Sequence, residues 1–207
     1  MAQTDPDLPL VTRFVEQRSE EAFAELYGRY KDRVYGTAFT LTGDRALADD
    51  VTQEVFLRVF RKLETFERRS IFSTWIYRMT VNLATDLQRR VRRTGRLVET
   101  AAELARGDAG RVIDPGRASE GLERQDLGGE VARAIRRLSP KLSTVIVLRY
   151  LEGLSYEAIG EVLETSVGTV KSRLNRAHAE LSNLLRDLRS TYGVDLGAAP
   201  APENESG

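Results

Sequence analysis

Between Leu10 and Arg93 apolar residues recur at threes and fours, and that period restricts the fold more than any other feature of the chain. Phe23, Leu26, Tyr27, Tyr30, Val34 and Ala38 form one such series. These spacings place the series along one face of an α-helix, whereas a half-buried strand requires alternation. Ser19 followed by Glu20 and Glu21 predicts where the helix starts, with a hydroxyl to cap it and two carboxylates at the positive end of its dipole. Thr42, Gly43 and Asp44 break the pattern, and Leu47, Val51, Val55 and Val59 then predict a second helix. After another break at 64–69, Phe72, Trp75, Ile76, Met79, Leu83 and Leu87 predict a third helix over 71–93. Glycine and proline are scarce throughout, so 1–93 reads as a helical bundle with no strand pattern.

Over 94–126 the periodicity fades, glycine and charge rise, and Asp114, Pro115 and Gly116 mark a turn. That composition predicts a flexible linker. A second helical block occupies 127–190. Within it, Ser139 and Pro140 predict a helix start, because proline at the first helical position lacks only an N–H that would go unpaired anyway. The tail, 191–207, is rich in Gly, Ala, Pro and Glu and is expected to be disordered. The expected fold class is therefore all-α, with two small helical domains, an N-terminal bundle and a C-terminal helix-turn-helix domain, joined by a flexible linker.

The helix-turn-helix is predicted from 154–185. Ser155 is placed to cap a short helix bearing Tyr156, Ile159, Val162 and Leu163; 164–166 make the turn; Val167, Val170, Leu174, Ala177 and Leu181 give a longer helix its inner face. Thr169, Lys171, Ser172, Arg173, Asn175 and Arg176 fall on the outer face and its flanks. All can donate hydrogen bonds, and most lie in the half of the helix that meets base edges when such a motif enters a major groove. His178 lies beyond this cluster and is read as a surface residue.

Other function classes are thin. The chain has no cysteine and one histidine, which removes thiolate metal sites, disulfides and most acid-base constellations. It shows no phosphate-binding glycine loop and no paired-histidine zinc motif. No run of apolar residues is long enough to span a bilayer and the start of the chain lacks a signal-peptide pattern, so a cytoplasmic location is expected. Formal net charge is zero. Its distribution is uneven: Arg89, Arg90, Arg92, Arg93 and Arg96 crowd together, Lys171, Arg173 and Arg176 recur later, and Asp49, Asp50 and Glu54 form an acidic group. Separate basic and acidic surfaces imply separate partners.

The segment SVGTVKSRLNRAHAEL resembles the promoter-reading helix-turn-helix of extracytoplasmic-function sigma factors, commonly PVGTVKSRLxRARxxL, with Ser166 in place of proline and His178 in place of arginine. The stretch before it, LSPKLSTVIVLRYLEGLSYEAIGEVL, is also similar to the family's pattern. Upstream, ALADDVTQEVFLRVFRKLETF resembles the family's core-polymerase-binding helix and FSTWIYRMTVNLATDLQRRVRR its promoter-melting helix. Many regulators share a helix-turn-helix; the two halves in this order are far more specific.

The resemblance implies a factor without catalysis or cofactor that takes core RNA polymerase to promoter DNA. It implies sigma region 2 in 1–93 and region 4 in 127–190. Asp49, Asp50, Gln53 and Glu54 would meet a basic coiled coil of the polymerase's largest subunit. Asn82 and Asp86 would line a pocket for an extruded base of the −10 element, with Arg89, Arg90, Arg92 and Arg93 on phosphates beside it. Lys171, Ser172, Asn175 and Arg176 would face bases of the −35 element, with Arg173, Arg149 and Thr169 nearer the backbone. An anti-sigma partner is implied too, although no residue identifies one. Trp75, spaced with Phe72, Ile76 and Met79, reads as core rather than as a strand-separating wedge. Glu99, Glu103, Asp108 and Asp114 either mimic nucleic acid in the RNA channel or belong to a passive spacer. A stand-alone helix-turn-helix regulator is the competing class; it accounts for the second block and leaves the first without a role.

Overall fold

The computed structural model of the chain describes residues 5–66, 70–106 and 127–186; for 92, 95–106 and 127 it describes the backbone only. Helices make up this structure, and no strand occurs among the described residues. Helix α2 (Glu20–Thr42) starts where expected, its Ser19 hydroxyl accepting from the Ala22 N–H at 3.2 Å. It ends at Gly43, whose φ of 71° is one that glycine adopts without strain, and Asp44 then caps α3 (Arg45–Lys62) by accepting from the Leu47 N–H at 3.0 Å. Two residues thus turn the chain back, and α2 and α3 pack side by side.

Helix α4 (Phe72–Arg106) closes this bundle. Leu26, Val34 and Ala38 of α2, Val51, Val55 and Val59 of α3, and Phe72, Ile76 and Ala84 of α4 are buried together. Trp75 is partly buried against Phe66 and Phe72, ring centroids 5.2 and 6.0 Å away, which places it at the edge of the core. The helix runs on through 94–106, into the stretch read as linker. The arginines and glutamates there are good helix formers, so loss of apolar periodicity removes a packing face without ending the helix. The rest of the expected linker, 107–126, and the tail from 187 lie outside the described residues.

A first helix, α1 (Leu8–Gln17), precedes the three whose bounds were expected. Leu10, Val11 and Phe14 dock it on the bundle. Asp7, just before it, is buried and accepts from Arg29 Nη1 at 2.8 Å and from the Tyr30 hydroxyl. Asp5 accepts from the Phe72 N–H at 2.8 Å, so the start of the chain caps the start of α4.

The second block comprises α5 (Leu127–Arg137), α6 (Pro140–Ile146) with a π-helical turn at Val147–Leu151, α7 (Tyr156–Val162) and α8 (Val167–Leu184). Pro140 begins α6 as expected, but the Ser139 side chain makes no cap bond; its carbonyl accepts from the Leu142 and Ser143 N–H groups, both at 2.9 Å. Leu142, Val145, Ile146, Leu148, Ile159 and Leu174 supply much of this block's core. The two blocks pack together, α4 against α7 and α2 against α5, α6 and the π turn.

Candidate nucleic-acid interface

The turn between α7 and α8 is built tightly. Ser155 caps α7 by accepting from the Ala158 N–H at 3.1 Å, and Ser166 caps α8 by accepting from the Thr169 N–H at 3.2 Å. Between them Glu164 takes a left-handed φ of 50°. The chain passes so closely that a Cβ on Gly160 would lie 2.9 Å from the Thr165 carbonyl oxygen. Val170, Leu174 and Ala177 bury the inner face of α8, while Val167 and Leu181 at its ends are only partly covered.

The outer face carries the expected donors. Lys171, Ser172, Asn175 and Arg176 are exposed, with Thr169 and Arg173 half-buried on the flanks. Arg176 Nη2 lies 3.4 Å from the Ser172 hydroxyl, an exposed contact weak enough to be exchanged for a base edge. Arg149 donates to the Leu154 carbonyl at 3.0 Å, and its guanidinium stands 4.9 Å from the centroid of the Tyr156 ring. Lys171 approaches the same ring, its Nζ 5.7 Å from the centroid. Its spacing places Tyr156 on the short first helix of the motif and gives it no such role; an aromatic residue next to the cap of that helix is the available signal. His178 Nε2 is 2.8 Å from the Tyr150 hydroxyl, and burial lowers the histidine's pKa.

On α4, Asn82 and Asp86 are both exposed, one turn apart on one face. Asp86 already pairs with Arg89 at 3.4 Å, both side chains well exposed. Arg90 and Arg93 are exposed next to them; the side chain of Arg92 lies outside the described residues.

On α3, Asp49, Asp50 and Gln53 are exposed, and Glu54 pairs with Arg58 at 2.7 Å. Asp49 and Gln53 rim an open groove of about 540 Å³ between α2 and α3, which Phe23, Tyr27, Leu57 and Phe60 help to line. Leu57 is 42% and Phe60 51% exposed, a wide apolar surface to leave in water. Tyr27, expected on the inner face, sits on this rim with its ring edge on Phe56 at 4.6 Å. Asp50 and Glu54 do not line the groove. Among the described residues no cluster of His, Cys, Asp or Glu could hold a metal ion, and no helix is long and apolar enough to cross a membrane.

Two family models match the chain, Sigma-70 region 2 over residues 26–94 and Sigma-70, region 4 over residues 128–181. The chain belongs to the sigma-70 family of RNA polymerase sigma factors. Its relatives place it in the ECF group. It is 34% identical to the ECF RNA polymerase sigma factor SigW of Bacillus subtilis over 84% of this chain and 94% of that protein. It is 37% identical to the ECF RNA polymerase sigma-E factor of Haemophilus influenzae, over 91% of this chain and all of that one (100%). Among solved structures, CnrH in complex with the cytosolic domain of CnrY superposes with a TM-score of 0.64 at 28% identity, covering 87% of this chain and 97% of CnrH.

As a sigma factor the protein directs promoter-specific transcription. Most of α2, all of α3 and the first part of α4 fall inside the region 2 match, and α7 with most of α8 inside the region 4 match. The sigma factor thus carries its apolar groove, the acidic residues of α3 beside it and the Asn82 face in one block, and the donor face of α8 in the other.

Proposed function

We propose that α8 enters the major groove of the −35 element, that α4 takes the −10 element, and that α3 docks on core RNA polymerase. The observation that carries this assignment is the outer face of α8. Lys171, Ser172, Asn175 and Arg176 stand exposed over a buried inner face, at the end of the helix that a helix-turn-helix presents to bases. Arg or Lys suits guanine O6 and N7, and Asn suits adenine. Thr169, Arg173 and Arg149 flank the donors at the height of the phosphates and fix position rather than sequence.

In region 2, Asn82 and Asp86 offer donors and acceptors to a base taken out of its stack. Arg89, Arg90, Arg92 and Arg93 continue the helix as a cationic track for the opened strand. Asp49, Asp50, Gln53 and Glu54 give the polymerase an acidic surface, and the neighbouring groove offers a helix with basic flanks somewhere to bury apolar side chains. The domain limits that go with these roles are 1–93 and 127–190. The factor does no catalysis, acts in the cytoplasm with the polymerase, and is held inactive by an anti-sigma partner when not required.

Partner choice tests the assignment. The purified chain should bind core polymerase tightly and promoter duplex weakly on its own. Tight binding to duplex without polymerase would instead assign it to the stand-alone regulators.

A further inference from the structure

Helix α4 begins without a cap of its own. Ile71 precedes its first residue and has no side-chain oxygen to accept from the free N–H groups there, and the first turn holds no acidic residue to offset the positive end of the helix dipole. Both needs are met from the start of the chain. Asp5 Oδ2 accepts from the Phe72 N–H at 2.8 Å, across 67 positions of sequence, and brings a carboxylate to that end of the helix.

Further contacts hold Asp5 in place. Its Oδ1 accepts from the Asp7 N–H at 3.0 Å, which sets the direction of the carboxylate. Asp7 stands at the N-cap of α1, yet its side chain makes no bond to that helix and turns to α2 instead. It is 2% exposed, and it accepts from Arg29 Nη1 at 2.8 Å and from the Tyr30 hydroxyl. Arg29 also donates to Glu25 at 2.6 Å, and the Tyr30 ring meets the Phe72 ring edge-on with centroids 5.3 Å apart. The start of α4 is therefore gripped on its backbone by Asp5 and on its side chain by Tyr30, and α2 orients both.

We propose that Asp5 is a positioning residue for promoter melting: by holding the first turn of α4 it fixes where Asn82 and Asp86 stand, about 15 Å further along the same helix. This rests on the −10 assignment made above. In that assignment the closed complex is held by α8 and by the polymerase, neither of which Asp5 touches. An extruded base is held by α4, and a frayed first turn would have to be ordered as that base binds. The cost of a missing cap consequently falls on strand opening.

The test compares Asp5→Ala and Asp5→Asn with wild type, each as the full chain bound to core RNA polymerase on a promoter mapped for this factor. Permanganate reactivity at the −10 element gives the rate of opening, and gel retardation gives closed-complex affinity. Asp5→Ala removes the acceptor and should slow opening about fivefold, while affinity for polymerase and for the closed promoter stays within about twofold of wild type. Asparagine caps a helix as well as aspartate does, so Asp5→Asn should open at close to the wild-type rate. Opening at the wild-type rate in Asp5→Ala, or an Asp5→Asn as slow as Asp5→Ala, would overturn the proposal. A loss of polymerase or closed-complex affinity in step with the slower opening would also overturn it, as the mark of a residue that only keeps region 2 folded. Asn82→Ala, run alongside, separates the two possible failures. Slow opening there but not in Asp5→Ala strikes this inference alone, whereas normal opening in Asn82→Ala removes the −10 assignment and this inference with it.

Discussion

Lys171 and Tyr156 meet across the helix-turn-helix, the ammonium of one 5.7 Å from the ring centroid of the other, with Arg149 4.9 Å from the same centroid. One ring thus holds two cations that arrive from different elements. Tyr156 stands in the first turn of α7, and Lys171 in the N-terminal half of α8. The ring fixes where positive charge is presented before any DNA arrives.

Tyr156→Ala should therefore weaken the −35 contact without touching DNA itself. At roughly 0.5–1 kcal/mol for each of the two exposed cation–π contacts, promoter affinity of the holoenzyme should fall about five- to thirtyfold. Tyr156→Phe keeps the ring and should stay near wild type. Fluorescence anisotropy on promoter fragments distinguishes the two.

Gly160→Ala should destabilise region 4, because the added Cβ meets the Thr165 carbonyl oxygen at 2.9 Å and backbone has to shift. A loss of roughly 1–3 kcal/mol is expected, read as a lower melting temperature. Gly168→Ala, where the nearest atom to a new Cβ is the Ser166 hydroxyl at 3.9 Å, serves as the tolerated control.

Asn82→Ala should slow formation of the open complex far more than it weakens the closed one, since an extruded base is held only after melting. Permanganate footprinting reports the first and gel retardation the second. Asp86 is not locked by Arg89, because an exposed i,i+3 pair contributes little, so its carboxylate is free to change partners.

Asp50→Lys combined with Glu54→Lys should abolish binding to core polymerase while the circular dichroism spectrum and melting temperature stay close to wild type. Asp50 is exposed, and the Glu54–Arg58 pair is surface-screened and worth at most about 0.5 kcal/mol. Unchanged affinity would remove this face from the docking surface.

Much of this fold is legible in sequence because helix faces are local. A residue three or four positions from another shares its face whatever the rest of the chain does, so α2, α3, α7 and α8 follow from spacing, and Ser19, Ser155 and the turn at 164–166 follow from short-range hydrogen bonding. Helix α1 escapes because its few anchors, Leu10, Val11 and Phe14, matter only once docked. Periodicity also says which side of a helix is apolar and not whether anything covers it, so Tyr27, Leu57 and Phe60 read as core or as nothing in particular, yet line a groove. The burial of Glu152 is the extreme case. It depends on Arg33, 119 residues earlier, and no local pattern encodes that pairing.

As a sigma factor, this chain confers promoter choice on a polymerase. Mixing it with sigma-free core RNA polymerase and fragmented genomic DNA from its host, then mapping every transcript start, tests that most directly. Starts should arise only when the protein is present and should share two spaced upstream elements. No new starts, together with tight binding to duplex in the absence of polymerase, would contradict it.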